Sequence, residues 1–110
     1  MLDRGEAVRT YCYISDAIEI LWKVLFSCKE PIYNLGGHSK TTIAELAEQI
    51  GGILNVPVIF PAITSPVAGA PEDADLEMSK TENEFSKRMY VPLSEGLLRT
   101  VSWYMATQIN

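Results

Sequence analysis

A chain of 110 residues with 47% apolar and 21% charged side chains has the make-up of one small globular domain, expected to span residues 1–110. Its net charge is −5, and Lys87-Arg88 is the only adjacent pair among nine basic residues. That scatter argues against nucleic acid, which needs a basic stripe along the phosphates, and no apolar run nears the ~20 residues of a membrane span.

The N-terminal MLDRGEAVRT holds no continuous apolar stretch. No secretory signal is therefore expected, and a cytoplasmic location is. Cys12 and Cys28 then read as reduced core thiols rather than a disulfide.

Thr10 to Ser15, TYCYIS, is rich in aromatic and β-branched residues and predicts a strand. Asp16 can cap the helix that follows, with Glu19 reaching back from three residues on. The helix, AIEILWKVLFSC, is apolar almost all round. Only Glu19, Lys23 and Ser27 are polar, and they form one narrow stripe at i, i+4 spacing. A surface helix normally shows about half of itself to water, so this one expects cover on nearly every side.

Pro31 to Gly37, PIYNLGG, predicts a short strand ending in a glycine turn. Thr42 to Glu45 has the form of a capping box. Ile43, Leu46, Ala47 and Ile50 follow at positions 0, 3, 4 and 7, one face of an amphipathic helix. That helix ends at Gly51-Gly52 or runs on to Leu54 and Asn55. Val56 to Pro61, VPVIFP, reads as another short strand. Ala62 to Asp75 reads as loop, with its acid-rich stretch from Pro71 to Asp75 expected to be the most mobile part. A second capping box, Ser79 to Glu82, opens a short helix to about Lys87. YVPL then leads into a last helix, about Leu93 to Thr107, with Leu93, Leu97, Val101 and Tyr104 inward. Glu95 and Arg99 pair at i, i+4, and Arg99 can lie over Trp103.

Chemistry-bearing motifs are few. His38 is the single histidine and has no cysteine or carboxylate at ligand spacing, so a solvated loop residue is expected and no metal. With one histidine and no nucleophile motif, a catalytic triad has little support. Glu72, Asp73, Asp75 and Glu77 do not have the spacing of a calcium loop. Gly36-Gly37 and Gly51-Gly52 belong to no phosphate-binding pattern. Trp22, Trp103 and Tyr104 sit at helical spacing and read as core. Arg9 stands just before a strand, where a guanidinium could clamp a phosphate; a surface ion pair is the plainer reading.

Five stretches occur in order: RTYCYISDAIEIL, IYNLGG, TTIAELAEQI, GAPEDADLEMSKTENEF and PLSEGLLRTVSWY. Together they resemble the C-terminal third of the extended short-chain dehydrogenase/reductases, the NAD-dependent epimerases and dehydratases of nucleotide sugars. The resemblance covers nearly the whole chain. It implies an α/β fold, or α+β at this size, with about four helices and two to four short strands, some of them parallel. In that family an N-terminal Rossmann half binds NAD through G-x-x-G-x-x-G, and a Y-x-x-x-K pair carries the hydride chemistry. Neither motif is in this sequence: Tyr11, Tyr13, Tyr33, Tyr90 and Tyr104 are followed four positions later by Ser15, Ala17, Gly37, Ser94 and Gln108.

The resemblance implies one site residue. An arginine in the R-x-Y-x-Y-I-x-D segment contacts the substrate diphosphate in many members, and Arg9 matches it. A second arginine is common near AGAPEDADLEMSK, but Ala62 to Thr81 holds none, so half of that clamp is missing. In the family the IYNLGG strand belongs to the edge region of the Rossmann sheet and the helix from Asp16 to Cys28 packs beside it, so here a strand edge and a helix face should be left uncovered.

The resulting expectation is a truncated epimerase/dehydratase-like domain, inactive alone, with no catalytic, cofactor or metal residues of its own, and self-associating as a homodimer. Two alternatives stand beside it. One is a nucleotide-sugar-binding module that uses Arg9. The other is half of a split enzyme completed by a separate Rossmann subunit.

Overall fold

The computed structural model describes residues 3–62 and 74–108. Strand β1 (Val8–Tyr11) leads into helix α1 (Ile14–Ser27), then strand β2 (Ser39–Thr42) and helix α2 (Ile43–Leu54). Helices α3 (Ser79–Phe85) and α4 (Leu93–Thr107) follow. The described residues thus hold four helices and one two-stranded sheet, the α/β content expected. The sheet is antiparallel, with Val8 opposite Thr42 and Tyr11 opposite Ser39. No parallel pair occurs among the described residues.

The strand near the N-terminus begins earlier and ends sooner than its aromatic run suggests. Tyr13 becomes the N-cap of α1 and makes no side-chain cap bond. Asp16 is therefore not the cap; it lies inside the first turn and is buried. PIYNLGG forms no strand. Its polar groups are met from α3 instead: Thr81 Oγ1 donates to the Asn34 carbonyl at 2.8 Å, and Lys80 Nζ to the Ile32 carbonyl at 2.8 Å. Side chains there do what a neighbouring strand would do in a wider sheet. Val56 to Pro61 also joins no sheet, since the Val56 N–H turns back to the Gly51 carbonyl at 2.9 Å.

The Thr42–Glu45 capping box forms in full. Thr42 Oγ1 accepts from the Glu45 N–H at 3.1 Å, and Glu45 Oε2 accepts from the Thr42 N–H at 3.0 Å. α2 runs through both glycines and stops at Asn55, which takes the left-handed conformation, φ 56°. The second capping box does not form: Met78 is the N-cap of α3, and the Ser79 amide and hydroxyl both bond Glu77. α4 has its expected bounds, and Leu93, Leu97 and Val101 are half-buried as expected. Tyr104, however, is exposed, and Arg99 lies over the Tyr13 ring at 5.7 Å rather than over Trp103.

The buried apolar core among the described residues is small: Ile20, Met78 and Phe85. Trp22 and Trp103 are exposed, not core, and so is the thiol of Cys28. On α1 the large apolar residues Ile14, Ile18, Leu21, Trp22, Leu25 and Phe26 all face water, from 45% exposed at Ile18 to 74% at Phe26. The helix that asked for cover on every side has it on one.

Candidate functional site

The inner side of α1 meets the segment after α3 through a buried ion pair. Lys87 Nζ donates to Asp16 Oδ1 at 2.8 Å, with both side chains more than nine-tenths buried. Asp16 Oδ2 accepts the Val91 N–H at 2.8 Å, so one carboxylate is held by both oxygens. Lys87 also bonds Glu19 at the rim. Burial works to lower the Lys87 pKa, but hydrogen bonds to Asp16 and Glu19 and their charges outweigh it, and the net shift is upward. The bond from Lys87 lowers that of Glu19. Two carboxylates thus hold one ammonium, an arrangement that fixes the chain segment leading into α4.

Beside it lies a second polar group. Lys87 Nζ stands 4.8 Å from the centre of the Tyr90 ring, which meets the His38 ring edge-on at 5.1 Å. His38 Nε2 is 2.9 Å from Glu82 Oε2, so the histidine is paired rather than merely solvated. The Tyr90 hydroxyl is buried with no hydrogen-bond partner among the described residues. Burial, then the nearby Glu82 charge, pushes its pKa up to about 12. Such a phenol keeps its proton at neutral pH.

A cleft opens where the β1–α1 junction meets α4. Tyr13 packs against Gly96, where an added Cβ would come within 3.1 Å of the ring. One hollow of about 160 Å³ lies beneath Tyr11 and Tyr13 against Leu93 and Leu97. A wider one, about 640 Å³, is lined by Cys12, Tyr13, Ile14, Arg99, Thr100 and Trp103. Burial, then the Asp16 charge, raises the Cys12 pKa, which works against an activated thiolate. Arg99 is tied to Glu95, as the i, i+4 spacing predicts.

Arg9 lies on β1 opposite Thr41, and its Nη1 donates to the Val8 carbonyl at 2.7 Å. It lines neither hollow. No group of three or more His, Cys, Asp or Glu that could hold a metal occurs among the described residues. Asp75 pairs with Lys40 at 3.7 Å, and Glu77 bonds Ser79. Glu72, Asp73 and most of the acid-rich loop lie outside the described residues. Among the described residues, neither α1 nor α2 offers a glycine turn for a dinucleotide's phosphates. α1 follows Tyr11-Cys12-Tyr13 with no glycine, and the N-terminus of α2 is closed by its own capping box.

No family model matches the chain. Among curated proteins it is similar to a dTDP-4-dehydro-6-deoxy-D-allose reductase from a Streptomyces species, 28% identical over 101 residues, 91% of this chain and 30% of that protein. Among solved structures it superposes on dTDP-glucose 4,6-dehydratase of Bacillus anthracis in complex with NAD. There the TM-score is 0.80 and the identity 26%, over 94% of this chain and 33% of that one. This chain resembles the C-terminal portion of the extended short-chain dehydrogenase/reductases. UDP-glucuronic acid 4-epimerase of Bacillus cereus, solved with UDP-glucuronic acid and NAD, shares the fold with TM-score 0.80 at 22% identity, over 97% of this chain and 35% of that one. The chain therefore spans about a third of the length of the extended short-chain relatives it matches.

Sequence reasoning missed the pairing of Asp16 with Lys87, 71 residues apart. No local signal marks it, since Glu82 and Glu84 lie only five and three residues before Lys87.

Proposed function

We propose that this chain is the substrate-side portion of an NAD-dependent nucleotide-sugar epimerase or dehydratase, silent in hydride chemistry by itself, and that it closes its uncovered face by self-association. The observation that carries the reading is α1: one side is locked to Lys87 and Phe85, while six large apolar residues on the other side meet water. Similarity to about a third of each sugar-modifying relative supports the same view. So does a sequence with neither the glycine motif nor the Y-x-x-x-K pair. Arg9 is the residue that a nucleotide diphosphate would meet, by resemblance.

Light scattering coupled to size exclusion tests the association, with a dimer expected. Calorimetric titration with NAD tests the silence, with no heat of binding expected. Saturable NAD binding would overturn that part. A second reading, half of a split enzyme, is favoured by the same uncovered face. It expects a stable complex and sugar-epimerising or dehydrating activity on mixing with a separate nucleotide-binding subunit.

A further inference from the structure

We draw no further inference here: the strongest candidate, the hollow of about 640 Å³ between the β1–α1 junction and α4, has its one charged side chain, Arg99, already tied to Glu95, and nothing in the structure shows what covers its apolar lining.

Discussion

Removing Lys87 would leave the Asp16 carboxylate buried without its counterion, and truncating one partner of such a pair costs more than the pair contributes. Lys87→Met should therefore destabilise the fold by about 3 kcal/mol in urea titrations. In a double-mutant cycle with Asp16→Asn the two losses should not add, because the second change removes the charge that the first stranded. The same cluster sets the response to pH. Lys87 and Tyr90 both have folded pKa values above their ordinary 10.5 and 10.0, Tyr90 at about 12. Their stabilisation is complete below those ordinary values and is lost as pH climbs through the raised ones. Glu19 has the opposite sense: its contribution is present above 4.5 and is lost as pH falls through the lowered value. The urea midpoint should hold through neutral pH and fall above about pH 10. Tyr90→Phe should flatten that alkaline limb, and phenolate absorbance should show one tyrosine fewer titrating near pH 12. Asp16 was misread as a cap because a cap is a local reading, whereas its partner lies 71 residues away. Arg9 as a diphosphate contact rests on resemblance alone. Nothing in its spacing distinguishes a diphosphate contact from a strand residue whose guanidinium meets a backbone carbonyl.

At the level of elements, the readings that held were those set by neighbours in sequence. α2 was legible because a capping box and an apolar stripe are both encoded within a few turns. α4 was legible for the same kind of reason. Strands fared worse because a ladder needs a partner. PIYNLGG has strand chemistry but no strand beside it, while Ser39–Thr42 has no apolar alternation and is a strand because β1 pairs with it. Gly51 and Gly52, adjacent in α2, make a sharp contrast. A Cβ at Gly51 would lie 2.8 Å from the Val56 carbonyl oxygen and 2.9 Å from Val58 Cγ2, while one at Gly52 meets nothing within 4 Å. Gly52→Ala should stabilise by about 0.5–1 kcal/mol, since alanine loses less backbone entropy in a helix. Gly51→Ala should destabilise despite the same propensity gain, because the turn that carries Val56 must move. Thermal melts of the two variants side by side would show opposite signs. Two losses would mean that α2 is looser at its end than the geometry describes.

At the scale of the whole molecule, the described surface includes an apolar face of one helix and both tryptophans. A folded unit that hides such a face by pairing is stabilised by its own concentration, since the folded chain and not the unfolded one binds the second copy. The melting temperature should then rise with each tenfold increase in protein, whereas a true monomer melts at one temperature throughout. Trp22, 54% exposed on the apolar face of α1, gives a local reading of the same event. With Trp103→Phe removing the other indole, emission should shift to shorter wavelength as concentration rises and water leaves the Trp22 ring. Leu25→Glu in that background should hold the emission at its long-wavelength position and make the melting temperature independent of concentration. A blue shift that survives Leu25→Glu would mean that the burial of Trp22 does not come from pairing through the apolar face of α1. The two readouts are coupled for a physical reason: the apolar area that leaves water on pairing both stabilises the dimer and changes the surroundings of the indole.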